Sequence, residues 1–469
     1  MTKKPAPKGR QPIAQEVLDA QLREAQDGLY SVYTDDNVRF LDPPDWTWKP
    51  VPAPRIHAHA ISAYPAQQKV LDTEVNRLNT YKPRHAVMYN QSVVHVNDAV
   101  LRDEVTASDR TLMMFRKKGR LRQDYRRILT DYLDTAPNGA DHALPVFAGA
   151  PMSLADLDPD VVFRLPTPGI HNFFHGVWEI LPQLMPLSQA GFKGRIALRS
   201  LLREMPGFIR GFAEVVFPEL IDQIEMDQIR PMHEGEDAGH YQDFYTAFDW
   251  AFYANLAADA PVDIGMPEPG KFEDFDTLNL SRPYAFNFNF ANSYTINQKA
   301  FRDQAVANVA HMDFSHLPRR FWISRKGSLR RPEVAGEDEL VTELREFGFE
   351  EVRLETLSFA EQIGIFQNAE FAAGQHGAGM TNMMFASPDT TVLEIGHGQT
   401  VQRWRTFHQM AAASGCRYES FFCDYDTDTP TVKPNLRVDG FPVPACPPVA
   451  IDMIISRVDA LVNGAGVRT

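Results

Sequence analysis

Cysteine is scarce in this chain: three among 469 residues, Cys416, Cys423 and Cys446, with no Cys-x-x-Cys pair. So sparse and odd a set excludes a disulfide framework, gives no reason for zinc, and predicts reduced thiols that serve packing. Long apolar runs are missing as well; no stretch approaches the roughly 18 residues that a membrane-spanning helix needs. The start Met1-Thr2-Lys3-Lys4-Pro5 leads into polar sequence rather than into the apolar stretch of a signal peptide, so a cytosolic location is expected. Positive charge is short: Lys and Arg leave a net charge of -14, which argues against general nucleic-acid binding because neutralising phosphates needs an excess of cations on one face. There is no internal repeat or low-complexity tract.

A chain of this length exceeds one ordinary core, and its strand-like and helical runs alternate, so we expect an α/β protein of two domains. Residues 1–40 read as a flexible tail with one helix over 13–24. Residues 41–310 read as a first α/β domain. The Pro- and Trp-rich segment 42–50 suits an irregular surface arm, and strands are expected at Ala86-Val87-Met88-Tyr89, Val93-Val94-His95-Val96 and Val161-Val162-Phe163-Arg164-Leu165. Residues 232–297, with a two-faced run at Phe286-Asn287-Phe288-Asn289-Phe290, read as an insertion.

Residues 311–430 are better organised. Phe321-Trp322-Ile323-Ser324-Arg325 is a buried strand by pattern, and Leu340, Val341, Leu344 and Phe347 recur at helical spacing up to Gly348. Ser358 with Glu361 makes a capping box for a helix over 359–368. Strands at Phe371, Val392 and Tyr418 follow, with a helix over 401–413 between the last two. Short connections of this kind indicate an open parallel sheet wound on both faces, whose ligands sit beyond the strand carboxyl ends. Residues 431–469 read as a Pro-rich linker and an amphipathic helix over 450–462 that crosses back to brace the first domain.

The carboxyl-end rule singles out Arg325 with Lys326, Ser358, His376 with Gly377, and Glu394 as one crevice. In Gln375-His376-Gly377-Ala378-Gly379-Met380-Thr381-Asn382, small residues between a strand and a helix start leave N–H groups uncovered for an anion, although a plain tight turn has the same residues. The cluster Arg319, Arg320, Arg325, Lys326, Arg330 and Arg331 supplies positive charge in an acidic chain, or is a solvated charge run. Together these features match a nucleotide diphosphate, with Glu394 assigned to ribose hydroxyls.

A second constellation is His171-Asn172-Phe173-Phe174-His175-Gly176-Val177-Trp178-Glu179. On a helix, His175 and Glu179 are neighbours and His171 lies a turn earlier, so an imidazole and a carboxylate walled by Phe174 and Trp178 can take a proton from an alcohol. Simple packing of an apolar helix start fits the same spacing. So does a zinc site of His171, His175 and Glu179, though it lacks the base of His-Glu-x-x-His. The acids of Asp424-Tyr425-Asp426-Thr427-Asp428 could hold a divalent cation or form a solvated turn.

Three ordered motifs carry a resemblance. The segment from Gln375 to Asn382 followed by Val392-Leu393-Glu394-Ile395 resembles the His-Gly-Ala-Gly-Leu-x-Asn turn and Val-Ile-Glu-Ile strand of glycosyltransferase family 61. Ile323-Ser324-Arg325-Lys326 with Arg330 is similar to that family's Ile-Ser-Arg segment, and Asn172-Phe173-Phe174-His175 with Glu179 to its Asn-Tyr-Tyr-His-x-x-x-Asp segment. Glu179 stands where the family usually shows Asp, and Gly176 where a bulky aromatic is frequent. The resemblance implies a GT-B architecture, two Rossmann-like domains facing a cleft, the second holding a nucleotide sugar, usually UDP-linked. It implies inverting transfer, with no required cofactor or metal, to a saccharide or glycolipid in bacterial surface polysaccharide synthesis. Peripheral contact with the inner membrane would gain no electrostatic help from the acidic balance. Glu179 is the expected base, assisted by His175 and His171. Asn172, Arg325, Lys326, Arg330, Ser358, His376, Gly377, Ala378, Gly379, Thr381, Asn382 and Glu394 are the expected substrate contacts. A non-catalytic nucleotide-binding module and a metal-dependent hydrolase at His171, His175 and Glu179 are the rival readings.

Overall fold

The computed structural model describes residues 38–42, 48–52, 54–80, 86–89, 91–102, 105–107, 112–114, 152–167, 169–228, 240–249, 294–326, 334–397, 405–424 and 445–464. The expected tail helix, the run at 286–290 and most of the Pro-rich linker lie outside these residues. The early strands are β1 (Val38–Leu41), β2 (Trp48–Val51), β3 (Arg55–Ala60), β4 (Ala86–Tyr89), β5 (Gln91–Arg102), β6 (Val105–Ala107) and β7 (Leu112–Met114), with helix α1 (Pro65–Thr80) after β3. Next come β8 (Val162–Pro166), a π-helical turn His175–Ile180, β9 (Arg195–Ser200), α2 (Gly207–Val216), β10 (Ile224–Gln228), β11 (His240–Asp249), β12 (Tyr294–Thr295) and α3 (Ile296–Val309). The rest is β13 (Arg320–Ile323), α4 (Glu337–Arg345), β14 (Glu350–Val352), α5 (Phe359–Asn368), β15 (Phe371–Gln375), β16 (Thr391–His397), α6 (Arg405–Ser414), β17 (Arg417–Cys423) and α7 (Pro448–Asn463).

The protein is α/β, with two large sheets. The first runs β10-β9-β8-β11-β5-β6-β7, with β1 also on β5; β8, β9 and β10 are mutually parallel, whereas β5 pairs antiparallel with β1, β6 and β11. The second runs β14-β13-β15-β16-β17-β3 and is parallel throughout. A small third sheet joins β12, β4 and β2.

Three expectations need correction. Residues 232–297 are not simply an insertion, because β11 within them pairs along β5 from His240↔Val100 to Asp249↔Gln91. Its Phe244 and Thr246 are fully buried, and their aromatic and polar neighbours masked the period-2 signal. The segment expected as an irregular arm contains β2, paired with β4. Helix α7 does not cross back to the first sheet: its Ile454 and Val458 share a cluster with Trp322, Leu340 and Phe421 on the second sheet. The crossing element is β3, which extends the second sheet beyond β17 with the register Arg417↔Arg55 to Phe422↔Ala60. Both are tied at Glu419 of β17, which accepts from Arg457 of α7 at 2.7 Å and meets His59 of β3 at 2.8 Å.

Between the large sheets lies one continuous apolar cluster, from Phe163, Leu165, Ile196 and Leu198 of the first to Phe321, Ile323, Ala372 and Val392 of the second. Helix α3 pins this layer. Thr295 and Gln298 form its capping box. Gln298 then donates to the Trp178 carbonyl at 2.9 Å, Asn308 to that of Val215 at 2.9 Å, and Arg302 to that of Ala386 at 2.9 Å. In the second sheet the capping box of Ser358 and Glu361 opens α5 as expected, and Gly348 ends the helical stretch before β14 in the left-handed region.

Candidate active site

Strand β8 ends in a turn through Gly169, φ 78°, that starts the π-helical segment. Asn172 Oδ1 accepts from the Phe174 N–H at 2.9 Å, and the Asn172 carbonyl accepts from Gly176 N–H at 2.9 Å. The asparagine oxygen is thus a helix cap, the role short polar side chains perform at helix starts, rather than a free substrate ligand. One turn on, His175 Nδ1 and Glu179 Oε2 are 2.6 Å apart. A π-turn keeps residues four apart on one side, and such turns are frequent at functional sites. The His175 side chain is 33% exposed and that of Glu179 only 4%. The imidazole therefore faces out and the carboxylate stands behind it. His171 is exposed in the preceding turn. Gly176 meets a steric demand, since a Cβ there would lie 2.5 Å from Ile209 Cδ1 and 2.6 Å from Phe208 Cε2 of α2. Trp178 is fully buried and donates to Gln409 Oε1 of α6 at 3.3 Å, so it is core rather than wall.

On the second sheet, β15 delivers His376, whose N–H donates to the Ile395 carbonyl at 2.8 Å and whose carbonyl accepts from Arg325 Nη1 at 3.3 Å. A Cβ at Gly377 would stand 2.8 Å from that same Nη1, so the glycine leaves room for the guanidinium. The 3₁₀-helix Ala378–Phe385 then begins, and the first N–H groups of a helix have no intrahelical partner. Ala378 is exposed and Gly379 half-buried, at the mouth of the turn.

Glu394 departs from its expected role. It is 1% exposed, one oxygen is 2.5 Å from His376 Nδ1, and the other accepts from the Tyr418 hydroxyl and, at 3.4 Å, from Ser420 Oγ. It supports His376 instead of reaching a ribose. Burial, and then the charge of Glu394, push the Tyr418 phenol well above its ordinary range, so it stays a proton donor. Lys326 also departs, because its Nζ is held by Asp338 at 2.7 Å and Glu351 at 3.1 Å. Ser358 is occupied by its capping box with Glu361. Thr381 and Asn382 are 0% and 1% exposed, and Asn382 donates to Gln362 Oε1 at 3.2 Å inside the core. Arg330 lies outside the described residues.

The two halves are joined by aromatic rings. Phe174 lies edge-on to His175 with centroids 5.2 Å apart, Phe407 of α6 meets Phe174 at 6.4 Å, and its other neighbour is His376 at 5.2 Å. Sequence reasoning expected the α6 helix but passed over Phe407, as it did Tyr418; an aromatic inside an apolar periodicity reads as core.

Among the described residues no group of three His, Cys, Asp or Glu could hold a metal, so His171, His175 and Glu179 do not converge on one point. Asp424 is buried and accepts from Ser62 Oγ at 2.6 Å and Ala63 N–H at 2.7 Å, while residues 425–428 lie outside the description. All three cysteines are free and buried, as expected. What the site can offer is two exposed-edge imidazoles, each backed by a buried carboxylate, and an arginine beside a helix start.

No curated protein matches the chain. The model of the family Glycosyltransferase 61 matches residues 173–393, a span that opens just before His175, closes just before Glu394 and includes the His376 turn. The chain carries a glycosyltransferase family 61 domain over those residues and is a glycosyltransferase.

Proposed function

We propose that this glycosyltransferase moves a sugar, with inversion, from a nucleotide donor of the UDP type to a hydroxyl of a saccharide or glycolipid acceptor in surface polysaccharide synthesis. The observation that carries the reading is the ring series Phe174, Phe407 and His376, which links the His175–Glu179 pair to the Arg325–His376 turn along one wall. The parallel, doubly wound second sheet favours a donor domain of the GT-B type, whereas the first sheet is mixed, with β8, β9, β10 and β11 parallel and β5 antiparallel to β11.

In this mechanism the acceptor hydroxyl loses its proton as its oxygen bonds to the anomeric carbon. The bond from that carbon to the diphosphate oxygen breaks, and its electron pair leaves with the diphosphate. In this reading the roles expected for the first dyad are exchanged: His175, the more exposed member, takes the proton, and Glu179 fixes its ring through Nδ1 and stabilises the imidazolium, which the exposure of the two side chains supports. Arg325 and the N–H groups at Gly377, Ala378 and Gly379 meet the departing charge.

The test is a calorimetric and thermal-shift screen of the full chain against UDP, GDP, CMP and their sugars, with and without EDTA. Stabilisation by one nucleoside diphosphate and its sugars supports the donor reading, and the EDTA arm reads metal need. Indifference to every nucleotide sinks it.

A further inference from the structure

The second dyad has a depth that the transfer mechanism above does not use. His376 is tied by Nδ1 to Glu394, and Glu394 is in turn tied by its other oxygen to Tyr418 and Ser420 of β17. The strand register makes this chain of bonds: Glu394 of β16 pairs with Ser420 of β17, and Tyr418, two residues earlier, projects from the same face. With the buried carboxylate accepting three bonds, the ring hydrogen belongs on Nδ1, since the bond made by one imidazole nitrogen decides the state of the other. Nε2 then points away from Glu394. The His376 side chain is 10% exposed, so the ring opens to solvent at its edge. It does so in the same turn whose carbonyl binds Arg325 and whose glycine leaves room for the guanidinium.

We infer that Tyr418 and Glu394 are positioning residues, which hold the His376 ring so that Nε2 hydrogen-bonds a phosphoryl oxygen of the donor's diphosphate. Phe407, edge-on to the ring at 5.2 Å, closes the other side and leaves it little room to swing. The raised titration of Tyr418 agrees with its donor role, because a phenol that stays protonated can serve Glu394 throughout the working pH range. The inference rests on the donor reading above and adds to it the residues that set the leaving-group wall.

The experiment uses the full chain labelled with ¹⁵N-histidine, with UDP and inorganic pyrophosphate as probes. The wild type should show the His376 signal, identified by its loss in His376→Gln, with hydrogen on Nδ1 and an Nε2 shift that moves on adding pyrophosphate. Tyr418→Phe and Glu394→Gln should each weaken pyrophosphate binding roughly 10-fold, the scale of a hydrogen bond to a charged group. Both should also blunt the Nε2 response. In the His376→Gln background the Glu394→Gln change should cost no further affinity, since a residue acting through another loses its effect with it. Additive losses, or an Nε2 response unchanged in folded variants, overturn the inference while leaving the donor reading intact. A wild type that binds neither probe overturns both. If Glu394→Gln fails to fold, Tyr418→Phe, which removes one hydroxyl, decides alone.

Discussion

Gly377 and Arg325 share one space: a Cβ on the glycine would sit 2.8 Å from Nη1 of the arginine. That contact places a guanidinium over the turn that the donor diphosphate is proposed to occupy, and the backbone must stay bare for it to lie there.

The first prediction follows from this contact. Gly377→Ala should displace the Arg325 head and raise the donor KM by about 10- to 100-fold, the worth of a charge-assisted bond, with little change in Tm. Gly379→Ala should be nearly silent, because its Cβ would meet Ile323 Cγ2 at an ordinary 3.4 Å. Steady-state kinetics on the pair checks both, and equal effects would refute the steric argument.

A second prediction concerns the first dyad. His175→Ala should lower kcat by about 10² to 10⁴, the usual reach of a general base, with donor affinity kept. Glu179→Gln should cost less, because the imidazole remains. A larger loss in Glu179→Gln would return the base to the carboxylate.

Stability should respond sharply at Glu337. Its two oxygens accept from Trp322 Nε1 at 2.8 Å and Gln375 Nε2 at 2.7 Å, all within the core. Glu337→Ala strands both donors and should cost about 2 to 6 kcal/mol, from the roughly 1–3 kcal/mol of each buried group left unpaired. Since Gln375 precedes His376, donor binding should weaken too. Denaturant melts and calorimetry read the two effects separately.

The clamp at Glu419 predicts a pH dependence. Burial alone would raise its carboxyl, but hydrogen bonds from His59 and Arg457 outweigh that and hold it below the ordinary range. A carboxyl depressed in the folded state adds stability above its unfolded value, and that stability is lost as pH falls through the folded one. Arg457→Gln should therefore lower Tm most near neutrality, with the gap to wild type closing in acid. A gap that stays constant would mean that Arg457 acts by packing alone.

Much of the second sheet was legible because its elements from β13 to β17 are written locally. The capping box of Ser358 and Glu361, the stop at Gly348 and the short apolar strands fix helix and strand without reference to distant residues. The first half was less legible. There β11 draws its β5 partners from 140 (His240↔Val100) to 158 (Asp249↔Gln91) residues away in sequence and its neighbours obscure its alternation, and α3 was overlooked although Thr295 and Gln298 spell its capping box.

The sequence by itself determined the α/β class, the parallel second sheet, the pairing of His175 with Glu179 and the bare turn after His376, because periodicity, capping and spacing act over a few residues. Only the tertiary structure decided that Glu394 faces inward to His376 and Tyr418, that Lys326 is taken by Asp338 and Glu351, and that Phe407 joins the two histidines' walls. Those choices depend on which face of a strand is buried and on what packs against it, and burial is settled by contacts between segments that are distant in the chain.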